Sequence, residues 1–166
     1  MFKRLMPVVF ALTLTACSSE PAKEAAPAPV VSTPKPAAAE LWNVTLGIET
    51  PESVYVDPKS GEIYVSLIAG MPGEKDGNGR IAKISANGQS TNASWADGMN
   101  APKGLRSYEG TLWTADIDEI LGFDMATGKA TSKVKVPGAQ FLNDVATGPD
   151  GTVYVSDMME IGRAHV

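Results

Sequence analysis

The sequence predicts an all-β protein, a β-propeller of which about three blades lie within residues 41–159. Two observations predict this fold. Short runs rich in Val, Ile, Tyr and Trp alternate with Gly, Asn, Asp and Pro, as in strands joined by tight turns. One strand–turn–strand unit also occurs three times, with its turn glycines, Gly61, Gly110 and Gly151, 49 and 41 residues apart. Because a period near 40 residues is that of a propeller blade, we predict consecutive blades.

Each repeated unit supplies the first two strands of a blade. The units cover residues 51–66, 102–116 and 142–157. A third strand is predicted at residues 80–85 and 119–123, followed by turns that can supply positive φ, Asn87-Gly88 and Thr127-Gly128. A less regular fourth strand is predicted at residues 94–96 and 133–136. Four strands make one propeller blade.

Two sets of residues hold matched places in the repeated units. Tyr64, Trp113 and Tyr154 align with one another, and we predict that they pack between sheets. Asp116 and Asp157 follow second strands at equivalent positions. We predict that these two aspartates stabilise the blades and do not bind a ligand.

Residues 41–46 read as a fourth strand with no blade ahead of it. In closed propellers such a strand commonly completes the last blade, by pairing with a strand from the other end of the chain. That partner is absent from this sequence, and closed propellers have about four to eight blades. We therefore expect the chain to be the N-terminal half of a longer protein, with about three of six blades present.

The last residues, 160–166, break the blade pattern. Their sequence, EIGRAHV, resembles the translation of a common sequencing adapter, so we expect a non-native tail, although a natural terminus can have the same sequence. The only histidine, His165, lies in this tail and is given no catalytic role.

Residues 1–16 have the pattern of an export signal. Lys3 and Arg4 precede an apolar run over residues 5–14, which is the order of charge and hydrophobicity in a secretory signal peptide. That run is too short to be a permanent membrane-spanning helix.

The end of this leader, Leu14-Thr15-Ala16-Cys17, resembles the bacterial lipobox. The resemblance implies that Cys17 is lipidated and anchors the protein to a membrane. Because Ser18 follows the cysteine where an aspartate would retain the protein at the inner membrane, it also implies an outer-membrane lipoprotein that faces the periplasm. The alternative is a buried free cysteine behind a short apolar helix.

Residues 17–40 carry the lipidation site and a linker rich in Ala and Pro, without aromatic residues. Such a segment cannot bury enough apolar surface to offset its ordering entropy. We expect an extended tether, stiffened by proline, between the lipid and the folded domain.

Composition restricts the partners. The net charge is −5 and no basic patch is visible, so we expect no nucleic-acid partner. With one cysteine, no disulfide can form within the chain.

Two motifs carry a resemblance to a known family. The first is Glu52-Ser53-Val54-Tyr55, and the second is Phe141-Leu142-Asn143-Asp144-Val145. Over residues 41–157 the chain resembles the SMP-30/gluconolactonase/LRE-like family of six-bladed propellers. Val54 stands where that family has a proline, and Tyr55 where it has a tryptophan.

The resemblance implies a metal-dependent site at one mouth of the propeller channel. Glu52 and Asn143 would be metal ligands, and Asn143 and Asp144 would contact the substrate. The implied cofactor is a divalent metal, Ca²⁺ first and Zn²⁺ or Mn²⁺ as alternatives, and the implied reaction is hydrolysis of lactones or related esters. The catalytic base would come from later blades.

Other interpretations of the same residues stay open. The protein can be a non-catalytic binding or scaffold propeller, related to NHL propellers, in the periplasm. Glu52 can be an exposed turn residue, and Asn143 and Asp144 can close a turn through hydrogen bonds to the backbone. Lys103, at the position of Asn143 in the preceding unit, argues against a ligand from that blade.

Overall fold

The computed structural model describes residues 39–160 and 163–165. The predicted signal peptide, the lipidation site Cys17 and residues 17–38 of the linker lie outside this part. The described residues form eleven strands and no helix, so they include no helix that could cross a membrane. In chain order the strands are β1 (Pro51–Val56), β2 (Ile63–Leu67), β3 (Gly79–Ile84), β4 (Thr91–Met99), β5 (Pro102–Tyr108), β6 (Thr111–Asp116), β7 (Glu119–Asp124), β8 (Ala130–Lys135), β9 (Leu142–Thr147), β10 (Val153–Asp157) and β11 (Arg163–His165).

These strands make three antiparallel sheets, each built from consecutive strands. Blade 1 has the order β1-β2-β3-β4, blade 2 has β5-β6-β7-β8, and blade 3 has β9-β10-β11. The turn between the first two strands of each blade contains a glycine with φ between 73° and 86°, at Gly61, Gly110 and Gly151. Glycine adopts this backbone conformation without the strain that a Cβ would add. The local turns therefore make each strand pair with the next, as the repeats predicted.

The first strand of every blade begins with a β-bulge. The register shifts between Pro51 and Val54 in β1, and between Pro102 and Leu105 in β5. In blade 3, the register shifts in the same way between Leu142 and Val145 of β9, which pair with Asp157 and Val155 of β10. A bulge reorients the side chains of its extra residues, so residues 52–53, 103–104 and 143–144 occupy equivalent special positions.

Neighbouring blades pack face to face through two apolar cores. The core between blades 1 and 2 contains Tyr64, 1% exposed, and the core between blades 2 and 3 has Trp113 at its edge. The predicted packing role is confirmed for Tyr64 and Trp113, whereas the equivalent Tyr154 is 37% exposed. The other buried members of the core between blades 1 and 2 are Ile81, Ala96, Met99, Leu105, Leu112, Leu121 and Phe123. The buried members of the core between blades 2 and 3 are Ala115, Ile120, Val136, Leu142, Val145, Val153 and Val155.

The two matched aspartates act on the backbone that leads into the next first strand. Asp116 accepts hydrogen bonds from the N–H groups of Asn100 (2.8 Å) and Ala101 (2.7 Å). Asp157 accepts from the N–H of Gln140 at 2.7 Å, and the N–H of Phe141 also donates to it. The prediction that they stabilise the blades is confirmed.

The prediction of a strand at residues 41–46 is wrong. This segment is irregular, and Leu41 and Leu46 are 89% and 90% exposed. A strand needs a partner for its N–H and C=O groups, and no described strand pairs with this segment. Val44 and Ile48 instead pack on the apolar side of β2 and β3. Residues 163–165, within the predicted tail, pair with β10 as β11.

Candidate ligand site at the channel mouth

The first strands of the three blades lie side by side, with β5 between β1 and β9. The hydroxyls of Tyr55 in β1 and Ser107 in β5 share a hydrogen bond of 2.7 Å. The Thr147 hydroxyl in β9 donates to the carbonyl of Ser107 at 3.3 Å. The three bulges therefore occur at the same end of three adjacent strands. We call Glu52, Lys103, Asn143 and Asp144 the mouth cluster.

The bulged backbones approach one another closely at Gly104. A Cβ built on this glycine would lie 2.2 Å from Oδ1 of Asp144 and 2.7 Å from its Cα. These distances are shorter than any normal contact between the atoms. The absence of a side chain at position 104 therefore allows the starts of β5 and β9 to meet, and it brings Asp144 next to Lys103.

Glu52 keeps contact with solvent, but its carboxyl lies within the electrostatic reach of the rest of the cluster. Burial by surrounding protein atoms raises the pKa of this carboxyl. The Lys103 ammonium opposes that increase in pKa, and the Asp144 carboxylate adds to it. The carboxylates of Glu52 in blade 1 and Asp144 in blade 3 therefore lie within electrostatic reach of each other.

Lys103 is a buried cation, with only 1% of its surface exposed. Its Nζ donates to the carbonyls of Ala101 (2.9 Å) and Pro72 (3.2 Å), and lies 4.4 Å from the centre of the Phe141 ring. None of the described carboxylates lies within ion-pair distance of this Nζ. Burial lowers the pKa of Lys103, while the charges of Asp116 and Glu52 act in the opposite direction. Lysine is seldom fully buried without a charged partner, so this position is unusual.

The long loop between β2 and β3, residues 68–78, covers Lys103. Its Pro72 carbonyl accepts the hydrogen bond from the ammonium, and its Lys75 forms an ion pair of 2.5 Å with Asp118 in blade 2. Gly73 lies against the Phe141 ring, since a Cβ there would be 3.7 Å from it. The loop therefore runs from blade 1 over the start of β5 towards blade 3.

Asn143 is half-buried and Asp144 is exposed, at the start of β9. Oδ1 of Asp144 accepts a hydrogen bond of 2.8 Å from the N–H of Val145. The N–H of Asp144 donates to the Ser156 hydroxyl at 3.1 Å, as the N–H of Ser53 donates to Ser66 at 2.9 Å in blade 1. The turn-closing role that the sequence left open for Asp144 is thus present, and one carboxylate oxygen stays available to a ligand.

The described residues do not complete a site for a divalent metal. Glu52 and Asn143, the predicted ligands, supply oxygen atoms, but calcium takes six to eight such ligands. No group of three or more His, Cys, Asp or Glu suited to a metal occurs in the described part of the chain. The equivalent position of blade 2 holds the Lys103 ammonium, whose charge repels a cation.

The role of Lys103 was not predicted from the sequence. Its alignment with Glu52 and Asn143 placed it at the mouth and argued against a ligand from blade 2. Its burial depends on Pro72 and Phe141, which are 31 and 38 residues away along the chain. The repeat alignment was the one signal that could have identified Lys103 as a member of the cluster.

Comparison with known proteins supports the fold. No protein-family model matches the sequence, and no curated protein matches it. Among solved structures, a gluconolactonase from Xanthomonas campestris aligns with a TM-score of 0.53 and 16% identity, over 66% of this chain and 35% of its own. A chain of the nidogen/laminin complex aligns with a TM-score of 0.56 and 17% identity, over 72% and 43%.

A third similar structure is the extracellular domain of a hybrid two-component system from B. thetaiotaomicron, with a TM-score of 0.51 and 14% identity. It covers 70% of this chain and 17% of its own. The chain therefore spans less than half the length of each of these proteins. Together with the three consecutive sheets, these similarities identify a β-propeller fold, and the predicted fold class is confirmed.

Proposed function

We propose that the protein is a propeller held at the outer membrane by a lipid on Cys17, and that it binds a small molecule at the mouth cluster on the periplasmic side. The observation that carries the proposal is the meeting of three equivalent bulges, which bring Glu52, Lys103 and Asp144 within electrostatic reach of one another. Convergent polar groups are typical of small-molecule binding sites.

The chemistry of the cluster favours a polar ligand that donates hydrogen bonds. Glu52 and Asp144 offer carboxylate oxygens, and the Asn143 amide both donates and accepts. The buried ammonium of Lys103 offsets part of the negative charge. Such a set can bind a neutral polar small molecule without a metal ion.

Metal-dependent hydrolysis of lactones or related esters is the second candidate function. The observation that favours it is the placement of both motifs: Glu52 and the pair Asn143-Asp144 lie at equivalent bulges of blades 1 and 3. The implied metal is Ca²⁺, with Zn²⁺ and Mn²⁺ as alternatives. The described residues supply too few ligands for such an ion, so no catalytic step is derived from them.

The test compares the wild type with Glu52→Gln and Glu49→Gln in the full product of the gene. Glu49 is exposed, and its carboxylate forms an ion pair with Arg80, so it controls for loss of a nearby carboxylate that is not one of the mouth cluster. A panel of small polar molecules and lactones is screened by thermal shift, with and without Ca²⁺, Zn²⁺ or Mn²⁺. The binding function is supported by a compound that, without added metal, raises the melting temperature of the wild type and of Glu49→Gln but not that of Glu52→Gln.

Two other results decide between the candidates. Lactone turnover that requires an added metal, and that Glu52→Gln removes, would replace the binding function by the hydrolase. If Glu52→Gln and the wild type respond alike to every compound and metal, the mouth cluster is not the site and both candidates fail.

A further inference from the structure

The loop between β2 and β3 is held by buried contacts at both ends. Ile68, 7% exposed, packs in a small core with Ala101 and Ile117. At the other end, a Cβ built on Gly79 would lie 2.4 Å from Cδ of Pro102, so the Gly79 backbone packs tightly against the start of β5. The two ends of the loop are therefore fixed to the body of the propeller.

The part between these ends, residues 70–78, lies on the surface, and we call it the surface loop. Every one of its residues is exposed. It is folded on itself: the N–H of Glu74 donates to the Met71 carbonyl at 3.2 Å, and Asp76 accepts from the N–H of Asn78 at 3.0 Å. A loop with internal hydrogen bonds of this kind can move as one unit.

The backbone near both ends of the surface loop suits such a movement. Ala69 has a φ of 53°, in the left-handed region that residues other than glycine seldom adopt. Gly77 has a φ of 74°, and no described atom beyond its chain neighbours lies within 4 Å of a Cβ built on it. Hinges are usually a few residues at the ends of a moving segment that absorb the change in backbone angles.

Two polar contacts hold the surface loop against blade 2. The Lys75 ammonium forms an ion pair of 2.5 Å with Asp118, and the Lys75 side chain is 50% exposed. The Pro72 carbonyl accepts the hydrogen bond of 3.2 Å from Lys103, which lies beneath the loop and is 1% exposed. The surface loop therefore forms part of the cover over the Lys103 ammonium.

We propose that the surface loop is a gate over the mouth cluster, with the ion pair between Lys75 and Asp118 as its latch, a role that rests on the proposed binding function. When the latch opens, the Pro72 carbonyl leaves the Lys103 ammonium and one of its N–H groups becomes free. An acceptor oxygen of a neutral polar ligand, in a carbonyl or hydroxyl group, then takes the place of the Pro72 carbonyl beside the carboxylates of the mouth cluster.

The charges around the latch allow it to open without leaving an unpaired ion. Exposed ion pairs contribute little to stability, so they separate readily. Lys135, on β8, also pairs with Asp118, so this carboxylate keeps a partner when Lys75 leaves. Lys103 keeps its hydrogen bond of 2.9 Å to the Ala101 carbonyl and its contact with the Phe141 ring.

The test measures how fast Lys103 reacts with a small amine reagent in the full product of the gene. The probe is N-hydroxysuccinimide acetate, acetylation is quantified by peptide mass spectrometry, and the exposed Lys59 is the internal reference. The rate at a covered amine follows the fraction of time that it is uncovered. Burial lowers the pKa of Lys103, which by itself would speed the reaction, so slow acetylation reports the cover. In the wild type, Lys103 should react far more slowly than Lys59.

Variants of the latch should change this rate. Lys75→Ala should speed acetylation of Lys103 roughly 2- to 5-fold, the factor that corresponds to loss of one exposed ion pair. Lys75→Arg keeps the ion pair and should react like the wild type. The matched control is Lys135→Ala, which removes the other lysine from Asp118 but lies outside the surface loop, and it should not speed the reaction. Hydrogen exchange in the core strand β6 should be the same in all variants, which excludes global unfolding as the cause.

Two results would overturn the gate, and neither depends on a ligand. One is an equal rate of Lys103 acetylation in Lys75→Ala and Lys135→Ala, and the other is a wild type in which Lys103 reacts as fast as Lys59. The compounds of the thermal-shift panel are then added to Lys75→Ala, where one that binds at the mouth cluster should slow acetylation of Lys103. Fast acetylation in Lys75→Ala that no compound slows would overturn the proposed binding function and not the gate.

Discussion

At the scale of single residues, the mouth cluster combines charged groups whose positions each reduce the stability of the folded state. Lys103 is buried without an ion pair, and Glu52 and Asp144 place two carboxylates near each other. Stability alone does not favour such an arrangement, because buried or repelling charges oppose folding. Costs of this kind are concentrated at functional sites, which is why the cluster is a better candidate than the exposed charges elsewhere.

Gly104→Ala should destabilise the protein. The new Cβ would lie 2.2 Å from the Asp144 carboxylate and 2.7 Å from the Asp144 Cα, so the backbone of β9 must move. We expect a loss of about 1–3 kcal/mol in the free energy of unfolding, measured by chemical denaturation. Gly73→Ala is the control, because its Cβ meets the Phe141 ring at an ordinary 3.7 Å. Equal effects of the two substitutions would contradict the close approach of β5 and β9.

Glu52→Gln should make the protein more stable near neutral pH and leave it unchanged in acid. The folded state raises the pKa of Glu52 above its ordinary value of 4.5, so this group stabilises the fold fully only below 4.5. That contribution is lost as pH rises through the folded-state pKa, where the unfolded chain is already ionised. Urea denaturation at about pH 7 and about pH 4 checks the sign. A wild type that is more stable than Glu52→Gln at neutral pH would show that the carboxylate is favourably placed.

At the scale of strands and segments, local patterns predicted most of the fold. Alternating apolar residues and turn glycines predicted the first three strands of blades 1 and 2 to within about three residues, because each strand pairs with its neighbour along the chain. Residues 41–46 carry a similar local pattern but form no strand, because pairing there requires a partner distant in the sequence. The fourth strands differ most in extent: β4 covers Thr91–Met99, where residues 94–96 were predicted.

The candidate site was predicted in part for the same reason. The repeats placed Glu52, Asn143 and Asp144 at equivalent strand starts, and the bulges confirm that equivalence. The environment of Lys103 depends on a loop between β2 and β3 folding over blade 2, which no repeat or local pattern contains. Spacing therefore predicted which residues hold equivalent positions in the blades, but not which of them are buried.

The leader segment provides a prediction that is independent of the propeller. Replacing Cys17 by Ser should abolish labelling of the protein with radioactive or alkyne-bearing fatty acid, because the thiol is the acceptor in the lipobox resemblance. Processing by the lipoprotein-specific peptidase should stop as well. Ser18→Ala is the control, since it leaves the thiol in place. Equal fatty-acid labelling of the Cys17→Ser protein would contradict the anchor.

At the scale of the whole molecule, the described part of the chain packs three blades through two cores. Each of these cores buries apolar residues of two sheets, whereas the outer face of blade 1, a groove lined by Val54, Val56, Ile63, Val65 and Ile84, leaves Val54 and Val56 more than half exposed. Exposed apolar sheet surface is a cause of association and aggregation. The stability of the chain therefore depends on what covers this face.

Residues 18–166 expressed alone should be unstable and should bind dyes that fluoresce on apolar surface. The double substitution Val54→Thr and Val56→Thr keeps the branched shape that favours strands but removes apolar surface, so dilute samples should bind less dye and aggregate more slowly. The control is Leu46→Thr, which changes an isolated residue that is 90% exposed and should have little effect. Dye fluorescence and light scattering are followed during heating. A dilute wild-type monomer that melts in one sharp, reversible transition without binding dye would contradict the prediction, because it would show that the outer face of blade 1 is tolerated in water without a covering partner.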